Sequence, residues 1–103
     1  MSLKQYNVTP ATASTDADLV ATIPDGSVLV LLSIQITAPT AATVNLKIYN
    51  SSSTLAQTVP LLLSAGDTAV LDHKIVIPAG GKLAVSSTVT DTTFTAHGNL
   101  GTV

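Results

Sequence analysis

The 103-residue chain contains no cysteine, tryptophan, arginine or glutamate, and each absence removes a class of chemistry. Without cysteine there is no disulfide framework and no thiolate site, and the redox compartment is left open. Without arginine there is no planar fork to grip phosphate or carboxylate in a bidentate way. Without tryptophan or glutamate, a paired-carboxylate glycosidase with an aromatic-lined cleft is a poor fit. Charge is scarce as well. Charged residues make up 10% of the chain, against roughly 25% in ordinary soluble domains. The four lysines, at 4, 47, 74 and 82, are too scattered to form the basic footprint that nucleic acid requires. The opening "MSLKQYNVTP" lacks the apolar core of a signal peptide. The longest apolar run, "VLVLL" at 28–32, is far too short for a membrane-spanning helix, so no membrane partner is expected.

Val, Leu, Ile and Ala supply most of the 46% hydrophobic fraction, since Tyr6, Tyr49 and Phe94 are the only aromatics. Ser and Thr together make up about a quarter of the chain and replace charge on the surface. A net charge of −2 gives little self-repulsion, which favours association into an oligomer or larger assembly. The length fits one domain with one core.

Residues 9–17, "TPATASTDA", are low in complexity and have little to bury. The reading is an extended or flexible arm over 1–17, followed by a single domain over 18–103. From residue 18 the apolar residues follow a period of two, the signature of half-buried strands. Val28, Val30, Leu32, Ile34 and Ile36 are expected on one face of a long strand, with Leu29 and Leu31 breaking the alternation at its start. Val44, Leu46 and Ile48 are expected to point inward, and Asn45, Lys47 and Tyr49 outward. Pro60 confines the strand at 55–63 to an edge or an irregularity. Ala69, Leu71, His73, Ile75 and Ile77 share parity in a strand over 68–77. A turn at 90–93 is expected to close a hairpin between 82–89 and the last strand, where Gly98 marks a bulge or a close backbone approach. No window carries helical periodicity. Turn clusters recur every 8–14 residues, which predicts an all-β antiparallel sandwich or small barrel of seven or eight strands.

Three segments repeat one device: "IPDG" at 23–26, "LSAGD" at 63–67 and "IPAGG" at 77–81. Proline presets φ, glycine supplies a positive φ, and a small residue keeps the corner compact. A two-layer sandwich needs such corners wherever the chain passes from one layer to the other.

Candidates for chemistry are few. Asp72 and Lys74 flank His73, but strand neighbours face opposite ways, so Asp72 cannot orient it. His73 is expected to be partly buried or at a subunit contact, and His97 to face solvent. Asp16 and Asp18 have a spacing that could seed a calcium site but lack its remaining oxygen ligands. No serine sits in a nucleophile elbow, and no phosphate loop precedes a helix. No enzyme activity, cofactor or metal is expected. "LLL" at 61–63 leaves one leucine on the wrong parity for a monomer. The candidate subunit interface is therefore Val28, Leu29, Leu31, Leu61, Leu62, Leu63 and His73. The alternative is a carbohydrate-binding or adhesion module, with Asn45, Lys47, Tyr49 and Asn50 as candidate ligand contacts.

Four segments, "LVATIPDGSVLVLLSIQIT", "TVNLKIYN", "LLLSAGDTAVLDHKIVI" and "IPAGGKLAVSS", come in an order that resembles small bacteriophage virion structural proteins. The likeness covers residues 19 to about 100. It departs at Gly81, where those proteins often carry Asp. The resemblance implies a jelly-roll-like β-sandwich with a non-enzymatic role in a phage particle: capsid decoration, head fibre, or a tail or adhesion component. It also implies a homotrimer in contact with other virion proteins, located in the virion after assembly in the host cytoplasm. It transfers no catalytic residue.

Overall fold

The structure, a computed structural model, describes residues 2–52, 54–72 and 74–102. The described residues form nine strands: β1 (Ser2–Val8), β2 (Ala17–Val20), β3 (Ser27–Ala38), β4 (Ala42–Tyr49), β5 (Leu55–Leu63), β6 (Asp67–Leu71), β7 (Ile75–Pro78), β8 (Lys82–Ser87) and β9 (Thr93–Thr102). They form two antiparallel sheets and no helix. One sheet has the order β1-β9-β3-β6, with β7 also on β3; the other runs β2-β8-β4-β5.

Strands β6 and β7 lie along the same edge of β3, against Ile34–Ala38 and Val28–Leu31 respectively. Taken as one interrupted strand, they complete the eight strands of a jelly roll. The single strand expected over 68–77 is described as two strands, β6 and β7, and Ala69, Leu71, Ile75 and Ile77 all pack against the core. His73 lies outside the described residues. Pro60 sits on β5, an edge strand, where a missing N–H need not break a ladder.

The side-chain phase of β3 differs from the sequence-based expectation. Leu31 pairs with Gly98 and Ser33 with His97, so Leu32 is an extra residue opposite a single partner. This β-bulge shifts the alternation by one. Leu29 and Leu31 are therefore fully buried beside Ile34 and Ile36, while Val28 and Val30 turn to the outer face and Leu32 is exposed. Gly98 permits the bulge because a Cβ there would lie 2.4 Å from the Val30 carbonyl oxygen.

The three repeated corners all carry the chain between sheets. Residues 23–26 link β2 to β3, 64–66 link β5 to β6, and 79–81 link β7 to β8. Gly26, Gly66 and Gly80 adopt φ of 80°, 83° and 84°, a region that side chains disfavour. Two of the corners are tied together: the Ile23 N–H donates to Gly81 O at 2.9 Å, and the Gly80 N–H to Ile23 O at 2.8 Å. The expected hairpin at 90–93 is corrected in the same way. β8 already pairs with β2 and β4 on its two sides, so the chain crosses to the other sheet and β9 pairs with β1 and β3.

The core between the layers is aliphatic around one ring. Phe94, Leu29, Leu31, Ile34, Ile36, Leu46, Ile77 and Leu83 are its largest wholly enclosed side chains. Ser87 and Thr92 are buried with them and satisfy each other by a 2.8 Å hydroxyl contact. Within the segment 1–17, residues 2–8 form β1 on the edge of the five-stranded sheet. The Ser14 N–H then donates to Ser87 O at 2.7 Å, which fastens the following loop to β8.

Candidate functional site

Among the described residues the wholly enclosed side chains of the core are apolar apart from the Ser87–Thr92 pair, so the candidates for chemistry are the groups on the two outer sheet faces and the loop ends. On the four-stranded sheet, alternation along β4 sends Thr43, Asn45, Lys47 and Tyr49 outward and Val44 and Leu46 into the core. Asn45, Lys47 and Tyr49 thus share a column, as expected, but Lys47 and Tyr49 are engaged locally. The Lys47 ammonium donates to the Asp16 carboxylate at 3.0 Å. The Lys82 ammonium lies 5.2 Å from the Tyr49 ring centroid and 3.3 Å from the Asp18 carboxylate. One face of that ring therefore carries a cation. The Asn50 carboxamide oxygen accepts from the Ser52 and Thr54 N–H groups at 2.9 and 3.2 Å, so this side chain builds its own turn.

These contacts also account for the Asp-x-Asp pair at 16 and 18. Lys82 reaches Asp18 from the neighbouring strand β8, and Lys47 reaches Asp16, just before β2, from β4 beyond it, a role that spacing along the chain could not reveal. Among the described residues no three His, Asp, Glu or Cys side chains converge as metal ligands. His97 faces outward on β9 and is exposed.

The aliphatic interface candidates divide into two groups. Leu29 and Leu31, expected at a subunit contact, are interior because the bulge turns them inward. Leu61 and Leu63 are half-buried against the core, and Leu62, the residue of odd parity, is 84% exposed on the outer side of β5. Val28 is half-buried on the outer face of the five-stranded sheet. His73 is not among the described residues. Absent from the interface candidates read in the sequence are Leu3, 82% exposed on β1 and read there as an anchor of the N-terminal arm with Tyr6 and Val8, and Val76, 54% exposed on β7. Cross-strand register places both level with Val30, and register is not written in the local sequence.

Beside Val28 the surface opens into a recess of about 620 Å³ lined by Gly26, Ser27, Val28, Ser51, Pro78 and Ala79. It lies where two sheet-crossing corners meet the β4–β5 turn. Among the described residues its lining holds no ionisable side chain, and its Val28, Pro78 and Ala79 walls suit an apolar group.

No protein-family model matches the chain. No curated protein matches it either. Two solved structures that match it are both from virus particles. One, described as the structure of infectious bursal disease virus, Gx strain, is 15% identical with a TM-score of 0.44, over 94% of this chain and 33% of the other. The second, of the Gt strain of the same virus, is 16% identical with a TM-score of 0.41, over 97% and 30%. The chain thus spans about a third of the length of these viral chains.

Proposed function

We propose that this chain is a structural subunit of a bacteriophage particle that works by packing against copies of itself and against neighbouring virion proteins. Its place would be a capsid decoration, head fibre, or tail-associated element. The observation that carries the reading is the placement of large apolar side chains on the outside of the jelly roll. Leu3 and Leu62 are more than four-fifths exposed, and Val70 and Val76 more than half. A domain with so little charge keeps such groups in water at a solubility cost unless another surface covers them. The resemblance in the sequence points to the same role and to a homotrimer.

The reading is tested by location. Antibody raised against the chain should decorate density-purified particles from the source culture in electron microscopy, and the chain should appear in stoichiometric amount in their mass spectra. Particles that lack it, with all of the chain free in the lysate, would refute the proposal.

A further inference from the structure

We infer that the outer face of the five-stranded sheet is where a second copy of this chain docks, face to face across a two-fold axis running along the strands between β9 and β3. The inference rests on the packing role proposed above and names the surface and the partner.

The first argument is geometric. Register across β1, β9, β3 and β7 puts Leu3, Asn99, Val30 and Val76 in one outward row. Val28 and Pro78 form the next row, at the rim of the apolar recess. A two-fold axis along the strands reverses their order and keeps each row at its own level. It therefore lays β1 of one copy over β7 of the other. Leu3, at one edge, then meets Val76 at the opposite edge, one row from Val28 and Pro78, and the same contact repeats by symmetry. The two apolar edges lie on one face at matching heights, so a second copy brings each against the other.

The second argument is charge. The described outward register positions of β1, β3, β6, β7 and β9 hold no Asp or Lys; Lys4 and Asp67 fall on the opposite parity. Ionisable groups on this side are His97 on β9 and the exposed Asp72 and Lys74 beside the β6–β7 edge. Copies can therefore meet over the Leu3, Val30 and Val76 row without placing an Asp or Lys of these strands between them. The other sheet differs, since Asp18, Lys47 and Lys82 all lie on its outer side.

The third argument is area. The 7 residues of β1, 12 of β3, 10 of β9 and 9 of β6 and β7 together cover about 600 Å² per copy at ordinary strand spacings. That reaches the lower end of stable interfaces, roughly 600 Å² per partner.

Light scattering and sedimentation across the micromolar range read the stoichiometry. The expected species is even-numbered: a dimer, or two trimers joined through this face. The double variant Leu3→Lys/Val76→Lys should halve the mass with its circular dichroism unchanged. The absence of native cysteine allows a gentler second measurement, should that variant fail to fold. At a concentration where about nine-tenths of chains are paired, maleimide should modify Val76→Cys roughly tenfold more slowly than Ala65→Cys in an exposed corner, with the difference vanishing on dilution. An odd-numbered trimer, or equal labelling of the two cysteines in an oligomer, would overturn this interface and leave the packing role standing. A strictly monomeric chain would overturn this interface and remove self-packing from the proposed role.

Discussion

A single methyl group added at Gly98 tests the irregularity on which the outer surface depends. The Cβ of Gly98→Ala would lie 2.4 Å from the Val30 carbonyl oxygen, 3.0 Å from Leu31 Cα and 3.1 Å from Leu31 Cδ2. Ordinary contact begins at 3.4 Å, so the oxygen must retreat by about an ångström to leave the repulsive wall. It has little freedom to do so, because Val30 sits in a central strand between Asn99 on β9 and Val76 on β7. Overpacking of this kind costs about 1–3 kcal/mol, and the fixed backbone places the cost in the upper part of that range. The opposing term is the lower entropy of the unfolded alanine chain, about 0.4–1 kcal/mol in favour of the variant. The net expectation is a loss of about 2 kcal/mol, or a fall in Tm of about 8–12 °C for a domain of this size.

The assay is urea unfolding followed by circular dichroism, with Gly66→Asn for comparison. Gly66 has a φ of 83°, and a side chain there would meet nothing within 4 Å of its Cβ. Asparagine tolerates that conformation, so the comparison variant should lose less than about 1 kcal/mol. A Gly98→Ala midpoint at or above that of the wild type would refute the close approach. The inward placement of Leu29 and Leu31, and the outward placement of Val28 and Val30, would lose their support with it.

Two further outcomes follow from the same structure. Leu31→Ala should cost about 2–5 kcal/mol and Leu32→Ala less than about 1 kcal/mol in urea midpoints, because only the first empties core volume. Equal losses would move the bulge elsewhere. Burial raises the Tyr6 phenol above its ordinary value of 10.0. The unfolded chain therefore ionises first, so the contribution of Tyr6 is complete below about pH 10 and is lost as pH rises through the folded value. Tyr6→Phe should flatten the alkaline fall of the unfolding midpoint between about pH 9 and 11; parallel curves for the two proteins would contradict the burial of the phenol.

The layered fold was legible in the sequence because its signals are local. Period-two alternation fixed β4 and most of β9, Pro60 marked an edge, and the three glycine corners each proved to cross between sheets. What could not be read depended on partners distant in the chain. Alternation carried back from Ile34 and Ile36 puts Val28 and Val30 inside, and only pairing with Gly98 shows where the phase changes. Residue type alone marked Gly98 as a bulge site or close approach, but could not attach that meaning to Leu32, which lies far back along the chain. The ion pairs of Asp16 and Asp18 were hidden for the same reason, since Lys47 and Lys82 belong to other strands. The candidate ligand column of Asn45, Lys47 and Tyr49 was legible as a column, because parity is local. Its engagement by Asp16 and Lys82 was not.

The bulge also links the interior to the exterior. Five consecutive aliphatic residues at 28–32 cannot all face a core in a structure whose side chains alternate. An uninterrupted phase would bury Val28, Val30 and Leu32 and leave two leucines outside. The bulge instead buries Leu29 and Leu31, places the smaller Val28 and Val30 on the outer face, and exposes Leu32. In either phase, "VLVLL" commits the sheet to an apolar patch beside Val76 and Pro78. A monomer would ordinarily offset such a patch with neighbouring charge, as edge and surface strands do elsewhere. The described outward positions of this face hold no Asp or Lys, while the opposite sheet carries Asp18, Lys47 and Lys82. Leu62 and Leu55 are exposed on β5 of that opposite sheet, but only on the five-stranded sheet do the exposed Leu3, Val70 and Val76 stand with no Asp or Lys at the described outward positions.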